Sequence, residues 1–164
     1  MMRVASSNED QSFSAIKEVV RICSRFSNVT RSMRKRYSNR KPLIIQDEYD
    51  VQYLLRSLLS IYFDDIRPEE TTPSCAGSYS RMDFLLKAEQ IAIETKMTRD
   101  NLADKELSKQ LIQDIAQYQT HHDVNTLVCF VYDPERYIEN PSGVIRDLEL
   151  QSSDKLTVRV IIVS

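Results

Sequence analysis

Two apolar runs in the middle of the chain carry charges that a buried strand does not need. Ser80-Arg81-Met82-Asp83-Phe84-Leu85-Leu86 is followed by polar Lys87-Ala88-Glu89-Gln90 and then by Ile91-Ala92-Ile93-Glu94-Thr95-Lys96. Apolar runs flanking a polar turn predict a β-hairpin. With the turn centred on Ala88 and Glu89, Leu86 faces Ile91, Phe84 faces Ile93 and Asp83 faces Glu94. Side chains alternate along a strand, and directly opposed residues share a face. Asp83, Glu94 and Lys96 are therefore expected on one side of a two-stranded ribbon. Two carboxylates and an ammonium in otherwise apolar strands point to a divalent metal held by the acids, with a lysine beside it.

The elements that must position this ribbon follow from hydrophobic spacing. Phe13, Ile16, Val19, Val20, Cys23 and Phe26 recur at helical intervals and predict an amphipathic helix from Ser12 to about Asn28. Residues 1–11 are polar and terminal and are expected to be disordered. A basic connector, Arg31 to Lys41, follows. It reads either as a solvated linker or as an arm contacting nucleic-acid phosphates. Asp47 is a good N-cap for a second helix with the stripe Val51, Leu54, Leu55, Leu58, Leu59 and Tyr62. Glu48 falls on the core-facing side of that helix. It either complements the positive helix end or has a further role beside the hairpin.

Asp64 to Ala76 reads as extended, with Pro68 suited to an edge strand. A helix from about Ala103 to Thr120 presents Leu107, Leu111, Ile112, Ile115 and Tyr118. Thr126 to Tyr132 is a continuous apolar run, the mark of a buried strand, and Asp133-Pro134 ends it. Pro141 opens a short helix, and Leu156, Val158, Val160 and Ile162 alternate in a last strand. The order α-α-β-β-β-α-β-α-β predicts an α/β fold, a mixed β-sheet flanked by helices. Residues 1–41 form the N-terminal helix and basic connector, and 42–164 the core.

Composition narrows the classes. No run of about 18 apolar residues is present, so no transmembrane helix is expected, and the polar N-terminus predicts no secretory signal. Three cysteines, Cys23, Cys75 and Cys129, match no zinc spacing and suit a reducing, cytoplasmic setting. Two glycines in the whole chain leave no Gly-rich phosphate loop. Arg21 to Gln46 holds eight Lys/Arg and no acid, although the net charge is −2. His121-His122 reads as a solvated helix end, and Ser74-Cys75 has no nearby histidine to activate it.

Asp83, ten intervening residues, then Glu94-Thr95-Lys96 resembles the D…(D/E)-x-K signature of the PD-(D/E)xK nuclease superfamily. The wider text resembles its DpnII/MboI-type restriction-endonuclease-like branch over roughly residues 15–163. The matching stretches include Asp47 to Gln52, Asp64 to Glu70, Ser80 to Lys87, Gln110-Leu111, Asp114-Ile115 with Tyr118, and Thr126 to Glu135. The acid at Asp83 follows Met82 where the signature has proline.

The resemblance implies a restriction-endonuclease-like fold and a Mg²⁺-dependent (or Mn²⁺-dependent) DNA endonuclease, in host defence or restriction. Asp83 and Glu94 would ligate the metal with the backbone carbonyl of Thr95, and Lys96 would orient the attacking water and stabilise phosphate charge. Glu48 would complete the acidic cluster, and Gln110 would touch the site from the helix after Lys96. Tyr118 reads as packing. Arg34, Lys35, Arg36, Arg40, Lys41, Arg81 and Arg99 are the expected DNA contacts. Cutting both strands with one site per chain is easiest as a homodimer. The helix Ser12–Asn28 would be the dimer surface or else would cap the sheet. A non-catalytic nucleic-acid-binding or regulatory module with the same fold is the alternative. No membrane partner is expected.

Overall fold

The computed structural model describes residues 5–68, 71–73, 79–102 and 104–164. The chain opens on a long helix, α1 (Ala5–Arg34), and a 3-10 turn (Tyr37–Asn39). Next come α2 (Glu48–Leu59) and the strands β1 (Ile66–Pro68), β2 (Thr71–Pro73), β3 (Tyr79–Arg81), β4 (Phe84–Leu86) and β5 (Ile91–Met97). The elements α3 (Asp104–Tyr118), β6 (Thr126–Tyr132), α4 (Pro141–Glu149) and β7 (Thr157–Val163) complete it. Five strands form one sheet in the order β1-β4-β5-β6-β7, and β2-β3 form a separate two-stranded ribbon. Pairing is antiparallel from β1 to β5 and parallel from β5 to β7, with α3 and α4 as the crossovers. The expected mixed α/β sheet is thus present.

Alternation along the strands divides the interior in two. Ile91, Ile93, Val128 and Phe130 face α1 and α2, which contribute Val19, Cys23, Phe26, Val51 and Leu55. Leu85, Ala92, Leu127 and Cys129 face the other way, onto Leu107, Leu111 and Ile115 of α3 and Leu148 of α4. The first helix is thereby part of the main core. Phe26 is fully buried and meets Phe130 and Tyr132 edge-on, with centroids 5.1 and 5.2 Å apart. Tyr132 Oη also donates to Oγ1 of Thr30.

Several boundaries differ from the sequence expectation, each for a local reason. Residues 5–11, expected to be disordered, are helical, and α1 runs on to Arg34, so it takes in the start of the basic connector. Ile112 is exposed at the rim of the α3 stripe, and Tyr62 is exposed because α2 ends at Leu59, before the turn that carries it. The extended stretch after Asp64 is two strands, β1 and β2. Ile66↔Leu86 and Thr71↔Arg81 belong to one register, so β1-β4 and β2-β3 are two parts of one long hairpin. Its return strand breaks at Met82 and bends at Asp83. Pro68 sits in the outermost strand, where its missing N–H costs no ladder bond.

At the opposite end of the sheet, β7 has only β6 as a strand neighbour. Its amides at Val158 and Val160 donate instead to Oγ of Ser152 (3.0 Å) and Oε1 of Glu149 (3.1 Å).

Candidate active site

The β4–β5 hairpin has the register expected from sequence: Phe84↔Ile93, Leu85↔Ala92 and Leu86↔Ile91. Gln90, in the left-handed region at φ 58°, closes its turn. Beyond Ile93, β5 pairs only with β6, because the chain preceding β4 bends away. This leaves one edge of Glu94–Met97 open. Two carboxylates occupy that edge. Oδ2 of Asp83 accepts from the Thr95 amide at 2.7 Å, and Oε2 of Glu48 from the Met97 amide at 3.4 Å. Amides two residues apart on a strand are roughly 6.6 Å apart, so Asp83 and Glu48 follow one another along β5.

The bend changes the face on which Asp83 lands. Met82 and Leu85 both belong to the interior on the α3–α4 side, so simple alternation fails between them. The Asp83 carboxylate accepts from Thr95 Oγ1 at 2.6 Å and from Gln52 Nε2 of α2 at 2.9 Å. It therefore stands against α2 and does not share the Glu94–Lys96 face that the uninterrupted register predicts. Glu94 and Lys96 turn toward α3. Lys96 Nζ lies 2.7 Å from Glu94 Oε1 and 3.4 Å from Asp114 Oδ2, the second contact too poorly aligned for a hydrogen bond. Tyr118 Oη donates to Glu94 Oε2 at 2.9 Å. Both Glu94 oxygens are thus held by neighbours.

Four carboxyl groups crowd one ammonium. Burial raises the Glu94 carboxyl, the Asp83 charge adds to it, and Lys96 only partly opposes them, so its pKa is pushed up to about 8. Burial also raises Asp83, against the bonds it receives from Thr95. Glu48 is raised by burial and by Asp83, against the pull of Lys96. Asp114 is raised by burial, again against Lys96. Burial works against the Lys96 charge, but Glu94 and Asp114 outweigh it and hold the ammonium firmly protonated. Tyr118 is raised by burial and by the Glu94 charge beside it, so it remains a donor.

The cluster borders a cleft of about 740 Å³, into which Glu48, Gln52 and Asp83 face. Arg34, from the end of α1, and Arg99, after β5, also line it. The far wall is the loop after β6, with Pro134, Glu135 and Tyr137. Buried Asp133 fixes that loop by accepting from the Tyr137 and Ile138 amides and from Thr98 Oγ1.

The DpnII-MboI restriction endonuclease model (REase_DpnII-MboI) matches residues 17–164. The chain belongs to this family. No curated protein matches it at a significant level. Membership of the DpnII-MboI family implies an endodeoxyribonuclease, a hydrolase acting on DNA phosphodiester bonds.

Within this DpnII-MboI chain the residues expected at the site divide into groups. Asp83, Glu94, Lys96 and Glu48 come together around the last residues of β5, with Thr95 between them. Gln110 does not join them: among the described residues its side chain forms no hydrogen bond to the cluster. Asp114 and Tyr118, one and two turns further along α3, reach the site in its place. Tyr118, read from sequence as packing, is both buried and bonded to Glu94. Gln52 was missed as well. Its signal was its place four residues after Glu48, on the same face of α2. Of the expected DNA contacts, Arg34 and Arg99 line the cleft, whereas Lys35, Arg36, Arg40 and Lys41 lie on the exposed connector. The side chain of Arg81 lies outside the described residues. No helix among the described residues is long and apolar enough to cross a membrane.

Among the described residues no three His, Cys, Asp or Glu side chains form a ready metal-holding group. The donor chemistry nevertheless suits a hard divalent cation. The donors are carboxylate oxygens, their negative charge outnumbers the local positive charge, and burial makes that excess unfavourable without a counter-ion.

Proposed function

We propose that the chain is a divalent-metal-dependent DNA endonuclease, with Mg²⁺ or Mn²⁺ as cofactor and a role in restriction or host defence. The observation that carries this reading is the gathering of Asp83, Glu48, Glu94 and Lys96 around the last residues of β5, with Asp83 and Glu48 in a cleft that Arg34 and Arg99 also line. Asp83 and Glu94 would hold the ion with the carbonyl of Thr95. In a regular strand that carbonyl points to the same side as the Thr95 amide, toward Asp83. Glu48 stands next along the edge, where it would complete the set. When bound, a divalent ion activates water and stabilises charge on the phosphate.

The chain's own groups supply the rest. Lys96 keeps its proton, and its ammonium offers positive charge to the scissile phosphate. Asp114 and Tyr118 orient Lys96 and Glu94 from α3. Gln52 fixes the rotamer of Asp83 through Oδ1. Arg34 and Arg99 would hold flanking phosphates, a sequence-independent attraction that weakens with salt. A twofold homodimer would place two such sites for cutting both strands.

The test is cleavage of supercoiled plasmid with Mg²⁺, Mn²⁺ or EDTA. Cutting should require the metal and be lost in Asp83→Asn and Lys96→Ala. Undiminished cutting by both variants would overturn the assignment. A second reading, a nucleic-acid-binding module without catalysis, is favoured by the hold of Lys96 and Tyr118 on both Glu94 oxygens. Salt-sensitive DNA binding with no cleavage in any metal would support it.

A further inference from the structure

A carboxylate outside the acidic cluster ties the end of β5 to the loop after β6. Asp133 is buried, yet both of its oxygens accept hydrogen bonds. Oδ1 receives Thr98 Oγ1 at 2.6 Å and the Tyr137 amide at 2.8 Å, and Oδ2 receives the Ile138 amide at 3.2 Å. The Asp133 amide donates to the Val163 carbonyl at 2.7 Å, and the Thr98 amide to the Tyr132 carbonyl at 3.0 Å. The ends of β5, β6 and β7 therefore meet at this residue. Asparagine in its place would offer one accepting oxygen and turn an NH2 group toward the remaining donors.

Arg99 follows Thr98 directly and lines the cleft with Glu48 and Asp83. Among the described residues its guanidinium forms no salt bridge and no side-chain hydrogen bond. Lys96, in contrast, is taken up by Glu94 and Asp114. The Arg99 charge reaches Glu48, where it works with Lys96 against the burial that raises that carboxyl. The Arg99 backbone exchanges two bonds with Leu102, at 3.3 and 2.8 Å. Thr98 before it is tied to Asp133, and the Asp100 carboxylate after it lies beside the Tyr137 hydroxyl and raises it. Both chain neighbours of Arg99 are thus held by the loop that forms the far wall of the cleft.

We propose that Asp133 is a positioning residue for substrate binding: through Thr98 and the loop after β6 it fixes the backbone of Arg99, whose guanidinium takes a phosphate of duplex DNA beside the acidic cluster. The inference rests on the nuclease reading above and names how that site grips its substrate. Carboxylates repel a phosphate, so a cation next to them has to be free of them and already in place when the DNA arrives. Arg99 is free, since no carboxylate of the cluster pairs with it, and its planar fork suits phosphate oxygens. Asp133 keeps it in place. A long side chain rooted in a fixed backbone loses less freedom on binding than one on a mobile loop.

The test is a double-mutant cycle on the full-length protein. Thr98→Val removes one donor to Asp133 and keeps the side-chain shape, Tyr137→Phe removes the hydroxyl beside Asp100, and Asp133→Asn removes one acceptor. Each is made alone and with Arg99→Ala, and melting temperatures check folding. Binding to a labelled duplex is read by fluorescence anisotropy in EDTA and in Ca²⁺ over a salt series, and KM and kcat are read from plasmid cleavage in Mg²⁺. Arg99→Ala should weaken duplex binding about tenfold and lower its salt slope by about one phosphate contact. Arg99→Lys should restore the slope and part of the affinity. Asp133→Asn and Thr98→Val should weaken binding about threefold or more, in KM more than in kcat, and weaken it no further once Arg99 is alanine. Tyr137→Phe should act in the same direction. Where Asp133→Asn does not fold, Thr98→Val decides. A loss of equal size with and without Arg99, or no loss, would overturn the positioning role and leave Asp133 a residue of the fold alone. Plasmid cleavage without this coupling overturns the inference and leaves the nuclease reading intact. Coupled duplex binding without cleavage in any metal does the reverse.

Discussion

Tyr118 Oη and Glu94 Oε2 lie 2.9 Å apart, joining the last turn of α3 to the acid in β5 beside Lys96. Both residues are buried, so this is a hydrogen bond to a desolvated carboxylate. Tyr118→Phe removes one oxygen and little volume. Hydrogen bonds to charged groups contribute about 1.5–3 kcal/mol, and a stability loss of that order is expected in urea unfolding above pH 8, where Glu94 is ionised. Plasmid cleavage should fall with it, because Glu94 then rests on Lys96 alone. A phenylalanine variant as stable and active as wild type would show that the bond contributes nothing.

Lys96→Met should expose how much the ammonium holds in place. It removes the partner of Glu94 and Asp114 and leaves their carboxyl groups facing each other. Breaking a buried ion pair costs about 3–5 kcal/mol. The loss should be clear at pH 8 and smaller at pH 5, where the raised carboxyl groups take up protons and no longer need the cation. Equal destabilisation at both pH values in matched unfolding curves would reject this account.

Glu94 also sets a pH dependence for the metal-free protein. Its folded carboxyl is pushed up to about 8 from an ordinary 4.5, first by burial. Folding therefore takes up a proton between these values, and the stability linked to it is present below about 4.5 and lost as pH rises through about 8. The melting temperature in EDTA should fall across this window, and Glu94→Gln should flatten the fall. A divalent ion needs the ionised carboxylate, so its stabilising effect should be larger at pH 8 than at pH 6. Thermal melts with EDTA and with Mg²⁺ test both parts, and a rise with pH in EDTA would contradict the first.

Cys23 and Cys129 should be chemically silent in the folded protein. Both are fully buried, and burial pushes the Cys23 thiol up to about 12 and raises Cys129 as well. Only the thiolate attacks alkylating reagents. Peptide mass spectrometry should find these two unlabelled at pH 8 without denaturant and fully labelled in urea. Labelling of either under native conditions would show that its half of the interior opens.

Phe26→Ala tests whether α1 is integral to the fold. The ring fills space between α1 and the sheet against Phe130 and Tyr132. Large-to-small changes of this kind cost about 3–5 kcal/mol, so the midpoint of denaturation should shift markedly. A change under about 1 kcal/mol would mean that the helix is dispensable to the core.

What the sequence disclosed follows from the range of each interaction. The Phe84↔Ile93 register was readable because both strands alternate without interruption around a short turn. The position of Asp83 was not, because the bend beside it breaks alternation within a single residue. Leu107, Leu111 and Ile115 declared the buried face of α3, whereas the bonds of Tyr118 to Glu94 and of Gln52 to Asp83 span 24 and 31 positions. No local pattern carries such pairs. Glu48 was readable as lying on the inner face of α2, but its bond to the Met97 amide depends on where β4 parts from β5. The extra length of α1 was hidden because Ala5 to Asp10 has no apolar stripe to announce a helix.

The bonds from Val158 and Val160 to Ser152 and Glu149 bear on how these molecules meet one another. A bare outer strand is a template on which a neighbour's strand adds, and each addition presents a fresh template to the next. Here the segment leading into β7 fills those positions with its own oxygens. Sheet growth from molecule to molecule is thereby opposed at β7, the end of the sheet opposite β1. Ser152→Ala with Glu149→Ala would uncover the template, and the expected cost is concentration-dependent aggregation more than lost fold.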